Sequence, residues 1–215
     1  MTKKLFADIL AMQIIPRVNS QLAQQFQLAD WHQSLGIVTL TIDDVGYTAI
    51  DESTKKADVE VVYAKSFYAG AAHASGPLSG EMIGIIAGAT PDEIRSALDA
   101  IEQKVHYDAY FEEIGEGHAI YAHTVSSCGS YLAQTASVPV GSALAYLIAP
   151  PLEAIVGLDA ALKAADVELK VFFGPPSETN FGGGLLSGSQ SSCKAATDAF
   201  REAIERIAQN PLDAS

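Results

Sequence analysis

Two stretches of this chain repeat each other. Lys56-Ala57-Asp58-Val59-Glu60 is answered by Ala164-Ala165-Asp166-Val167-Glu168, so that Asp166 follows Asp58 by 108 positions. The same offset sets Ser34-Leu35-Gly36-Ile37-Val38-Thr39-Leu40 against Ser142-Ala143-Leu144-Ala145-Tyr146-Leu147-Ile148, both apolar runs of strand length. Upstream, Ser20-Gln21-Leu22-Ala23 and Ser130-Tyr131-Leu132-Ala133 stand 110 apart, a two-residue loop difference. Downstream, Leu98-Asp99-Ala100 and Thr197-Asp198-Ala199 stand only 99 apart, which gives the first copy about nine extra residues before its last strand, in the Tyr68-to-Leu78 loop. A repeat of this length obliges each half to build the same unit. With 215 residues in all, each copy has enough chain for a core of its own.

Each copy reads as strand, polar segment, strand, helix, strand, loop, strand, helix. The last helix of the first copy is announced by Thr90-Pro91-Asp92-Glu93, an N-cap, a proline at the first helical position and a capping-box glutamate. Ile94, Ala97, Leu98, Ile101 and Val105 then recur at three- and four-residue steps, one apolar face of a helix lying on a sheet. The corresponding stripe in the second copy is Ala196, Ala199, Phe200, Ala203 and Ile207, and its middle helix starts at Pro150-Pro151 and runs through Leu152, Ile155, Leu158 and Leu162. Strands interleaved with helices on an antiparallel or mixed sheet predict two α+β sandwiches, residues 1–110 and 111–215, with the boundary in the region of 107 to 117.

Composition narrows the function classes. The formal charge of −13, with only 13 Lys and Arg, argues against nucleic acid as a partner, because phosphate binding needs clustered positive charge. Acidity instead suits cationic small molecules. Hydrophobic residues make up 48% and charged residues 18%, which suggests apolar surface buried between subunits. No apolar run approaches the roughly 20 residues a bilayer crossing needs, and the amino-terminal segment lacks a small-residue cleavage site, so a cytoplasmic protein with no membrane partner is expected. Cys128 and Cys193 match no metal-ligand spacing and read as buried small apolar residues.

Asp43-Asp44 and Glu81 form the sharpest acidic set if the fold joins the end of one strand to the start of another. Clustered carboxylates suit an ammonium group or a divalent metal, but Asp-Asp shortly before Gly46 is also ordinary turn chemistry. His73 lies in a loop too rich in Gly and Ala for a core, Gly70 included, and no partner nucleophile is implied for it by spacing. Gly182-Gly183-Gly184 lacks the endings of phosphate-binding loops and reads as close backbone approach. Phe67, Tyr68, Tyr110 and Phe111 flank the two irregular segments, as gates or as anchors.

The second half, Ala143-Leu144-Ala145-Tyr146-Leu147-Ile148-Ala149-Pro150-Pro151-Leu152-Glu153-Ala154 with Asp159-Ala160-Ala161-Leu162-Lys163-Ala164-Ala165-Asp166-Val167-Glu168-Leu169, resembles the bacterial microcompartment shell domain, and the first half is a divergent copy of it. With Glu60-Val61-Val62-Tyr63-Ala64, Tyr68-Ala69-Gly70-Ala71 and Ser187-Gly188-Ser189-Gln190, nearly the whole chain is similar to the tandem-domain shell proteins of ethanolamine utilisation. That resemblance implies circularly permuted domains, a homotrimer that forms a flat pseudohexamer and tiles edge to edge with other shell proteins, and a gated central pore, with Phe67, Tyr68, Gly70 and His73 as candidate gating residues. It further implies smaller pores that bind ethanolamine, whose acidic contacts match Asp43 and Glu81 with Asp44 adjacent, and Phe111 as a further contact. Catalytic residues and cofactors are not expected, though zinc, with unspecified ligands, is associated with some relatives.

Two other readings stand beside this one. An enzyme of the same compartment would need a cofactor motif, and turnover of ethanolamine or acetaldehyde would reveal it. A sensory or ligand-binding tandem module would behave as a monomer and form no sheets.

Overall fold

A computed structural model describes residues 3–115 and 117–212. The element order bears out the repeat. In the first copy β2 (Ile9–Ile15), α1 (Ser20–Gln25), β3 (Ser34–Leu40), α2 (Asp43–Lys56), β4 (Val59–Ser66), β5 (Met82–Gly88) and α3 (Pro91–Gln103) follow one another. The second copy returns the same sequence as β7 (His118–Val125), α4 (Ser130–Ala136), β8 (Ala143–Ala149), α5 (Pro151–Ala164), β9 (Val167–Phe173), β10 (Gly182–Gly188) and α6 (Gln190–Gln209). A short β1 (Lys3–Leu5) precedes the first copy, and β6 (Phe111–Ile114) precedes the second. Among the described residues the strands form two antiparallel sheets, β2-β3-β5-β4 and β1-β6-β7-β8-β10-β9.

The chain divides between Ala109 and Tyr110 with two exchanges, whereas sequence assigned 1–110 and 111–215. β1 goes with the carboxy-terminal unit, because its partner is β6, in the register Lys3↔Glu113. Gly129–Leu132, the first turn of α4 with the residue before it, goes with the amino-terminal unit.

In the amino-terminal unit α2 and α3 pack on each other and on the sheet. The capping box at Thr90 and Glu93 forms as expected, and Ile94, Ala97, Leu98, Ile101 and Val105 are buried. In the carboxy-terminal unit α5 and α6 cover the sheet over Ala145, Leu147, Leu158, Leu186 and Phe200. The sequence reading of α5 needs correction. Its buried residues are Glu153, Ala154, Gly157, Leu158 and Ala161, while Leu152 and Ile155 are exposed, as is Leu162. Apolar periodicity finds an apolar face without saying what covers it.

Candidate acidic site at the start of α2

Antiparallel pairing brings Leu40 at the end of β3 opposite Met82 at the start of β5. Asp43 and Glu81, separated by 38 positions in the chain, therefore meet where α2 leaves the sheet. The Asp43 N–H donates to Glu81 Oε1 at 3.1 Å, which places the Glu81 carboxyl beside that of Asp43. Ser66 Oγ at the end of β4 donates to Asp43 Oδ2 at 2.7 Å, and Tyr47, one helical turn after Asp43, shares a hydrogen bond of 2.7 Å with the same hydroxyl. Asp43 Oδ1 also accepts the Asp44 N–H at 2.8 Å. Asp43 and Asp44 are only 6% and 7% exposed, so the sequence alternative of a solvated turn does not hold. Position helps both, since the first turn of a helix favours negative charge.

Glu81 titrates abnormally. Burial disfavours its charged form most, and the Asp43 charge and hydrogen bond push the same way, so its pKa rises to about 7 despite the opposing Asp43 and Ala71 N–H groups. Ala71 belongs to a single 3-10 turn, Gly70–His73, inside the long loop. Gly70 adopts φ +65, and a Cβ there would stand 2.6 Å from Glu81 Oε2, so this position requires glycine. The Glu81 carboxyl thus touches α2 on one side and the loop on the other. The Phe67 N–H donates to the Glu81 carbonyl at 2.8 Å and closes the base of the loop.

The remaining candidates divide. Phe67 is half-buried at that base, whereas Tyr68 is 83% exposed and His73 is exposed. Phe111 belongs to a different unit from the acidic set. It lies in the carboxy-terminal unit, buried on β6, with its ring 5.3 Å from Tyr121 and 5.8 Å from Phe181. Ser66 and Tyr47 were missed by sequence. Tyr47 carried a signal, standing four residues after Asp43 on one helix face, but Ser66 is placed only by strand pairing.

Comparison with known proteins follows the same lines. Residues 34–120 match the BMC domain. The bacterial microcompartment shell protein EutL of Clostridium perfringens is 54% identical over 207 residues, 95% of each chain. This chain belongs to the EutL family of shell proteins. The EutL of Escherichia coli is 47% identical over 95% of this chain and 94% of its own length. The crystal structure of the ethanolamine utilization protein EutL from Leptotrichia buccalis superposes with a TM-score of 0.97 at 54% identity, covering 99% of both chains. As an EutL-family member the chain is a structural component of a microcompartment shell. The BMC match carries the mark of permutation. It runs through α3 into β7, yet β7 pairs in the other sheet, and the edge of β3 is filled by β2, which precedes it in sequence. Among the described residues no group of three or more His, Cys, Asp or Glu side chains is placed to hold a metal ion. No helix among them is long and apolar enough to cross a membrane.

Proposed function

We propose that three copies of this EutL-family chain form a pseudohexameric tile that assembles with other shell proteins around a metabolite pore, and that the Asp43–Glu81 pair binds ethanolamine or a similar small amine. The role is structural and transporting, without catalysis. One observation carries the ligand reading: the Glu81 carboxyl accepts the Asp43 N–H at 3.1 Å at the start of α2, where burial and the Asp43 charge hold a proton on it up to a pKa of about 7. An ammonium group can replace that proton, bringing its own charge and three hydrogen-bond donors to acceptors already out of water. Because Glu81 also receives the Ala71 N–H, occupancy at the pair is felt by the Tyr68-to-Leu78 loop, which acts as the gate with Phe67, Tyr68, Gly70 and His73.

Light scattering tests the assembly, which should weigh three times 22.6 kDa. Calorimetry of ethanolamine binding tests the site. Asp43→Asn and Glu81→Gln should each abolish measurable heat in a correctly assembled protein, and unchanged binding in both would overturn the assignment.

A further inference from the structure

The Tyr68-to-Leu78 loop is tied down at one residue just beyond its end. The Glu81 N–H donates to the Leu40 carbonyl at 2.7 Å, and the Glu81 carbonyl accepts the Phe67 N–H at 2.8 Å. Those two bonds continue the sheet and hold the base of the loop. The Glu81 side chain then reaches back into the loop itself. Its carboxyl accepts the Ala71 N–H, and Gly70, at φ +65, lies so close to Oε2 that a Cβ has no place. Gly80, also at φ +65, turns the chain at the far end, where a Cβ would strike the Leu40 carbonyl. The loop thus pivots on two left-handed glycines, and the stretch after the first of them rests on one carboxyl.

That carboxyl has a neighbour of its own sign. From α2 comes Asp43, followed by Asp44. Asp43 Oδ1 accepts the Asp44 N–H and Oδ2 accepts the Ser66 hydroxyl, so both of its oxygens act as acceptors. From β4 comes only the uncharged Ser66 hydroxyl, bonded to Tyr47, and from β3 the Leu40 carbonyl. The loop brings backbone groups, with His73 in the same turn but exposed. Among the described residues no Lys, Arg or His side chain pairs with Glu81. An anion packed against another away from water needs a counter-charge, and here it has to come from solution, as a proton or as a cationic ligand.

Covering decides which state of the loop each occupant favours. Burial is the largest influence on Glu81, and Gly70 on Oε2 is part of that burial. Lifting the loop would return water to the carboxyl and favour its charged form, so by linkage a proton on the carboxyl favours the closed loop. The Ala71 N–H pulls the other way, because it bonds an anion more strongly, but it is the weakest of the influences on this group. We propose that a proton on Glu81 is a second effector of the loop, alternative to the amine: either one closes the Tyr68-to-Leu78 loop over the carboxyl, and the loop opens when both are absent. Charge conservation fixes the exchange. As one ammonium enters, one proton leaves the carboxyl for solvent, and in acid the amine's affinity falls about tenfold per pH unit. The competition rests on the amine site proposed above, whereas closure by the proton does not.

Hydrogen exchange on the wild-type protein, corrected for its intrinsic pH dependence, reads the loop at residues 70–73. Without amine, protection there should fall about tenfold between about pH 5.5 and about pH 8.5, and ethanolamine should restore it at the upper end. In Glu81→Gln, which keeps an acceptor for the Ala71 N–H and cannot ionise, protection should not change with pH. Calorimetry of ethanolamine at about pH 6, in two buffers of different ionisation enthalpy, should show about one proton released per amine bound. Protection that stays level in the wild type, a pH response that persists in Glu81→Gln, or one that vanishes in His73→Gln overturns the proton latch. Ethanolamine binding without proton release overturns the competition and spares the amine site. No ethanolamine heat at any pH, with the pH response intact, overturns the amine site and the competition and leaves the proton latch standing.

Discussion

The mouths of α2 and α5 occupy one position in the repeat and are built from opposite chemistry. Where α2 opens with Asp43 and Asp44, α5 opens with Pro151 and Leu152, and where β5 is preceded by Glu81, β10 is preceded by Phe181. One mouth is acidic, with the Glu81 pKa raised by burial and by the Asp43 charge, and the other is apolar, with Phe181 packed on Phe111. The loops follow suit. The first copy uses its extra residues for a 3-10 turn that rests on Glu81, whereas the second crosses from β9 to β10 through Pro175-Pro176 and a turn in which Ser177 and Phe181 hydrogen-bond. A duplicated domain can keep one mouth as packing while the other changes its charge, because the sheet and helices beneath do not depend on either.

The largest effect that would break this contrast is expected at Phe111. Replacing it by Ala removes a buried aromatic ring and should cost about 3–5 kcal/mol in chemical denaturation. If instead stability holds and ethanolamine affinity falls, Phe111 belongs to binding rather than to the core of its unit. Gly70→Val is next. A β-branched side chain at φ +65, pressed against Glu81, should cost about 2 kcal/mol and make the Tyr68-to-Leu78 loop a preferred site of limited proteolysis.

Titration of Glu81 sharpens the comparison further. Its folded pKa of about 7 lies above the ordinary 4.5, so the folded protein favours the proton. The stabilisation is complete below about pH 4.5 and is lost as pH rises through 7. Because the carboxyl is partly solvated, the loss should amount to a few degrees in Tm between pH 5 and 8. It should disappear in Glu81→Gln, and saturating ethanolamine should offset it at the upper end. A Tm in Glu81→Gln that still falls over this range would place the titrating group elsewhere. The smallest effect is expected at Tyr68, which is 83% exposed: Tyr68→Ala should change stability by less than about 0.5 kcal/mol, and a larger loss would mean that the loop packs on its ring.

Much of the fold was legible because the signals were local or repeated. The capping box at Thr90 and the stripe from Ile94 to Val105 announced α3, and the repeat carried the order of elements from one copy to the other. The short helices α1 and α4 escaped notice, since six or seven residues span too few turns to show a period. The strand β1 escaped because three residues declare nothing until β6, more than 100 positions away, pairs with them. Asp43, Asp44 and Glu81 were legible as residue types, and the choice between a solvated turn and a buried pair was not, because burial follows from the pairing of β3 with β5.

The sequence by itself determined that two copies of one domain share the chain, where the extra loop lies and which carboxylates belong to one copy alone, because repeats and insertions are properties of order along the chain. Only the tertiary structure decided that Glu81 meets both Asp43 and the loop, that Phe111 is buried on β6 beside Tyr121, and that Leu152, Ile155 and Leu162 of α5 are exposed. Those are questions of which surfaces meet, and burial, desolvation and displaced pKa values arise only once strands remote in sequence have closed around them.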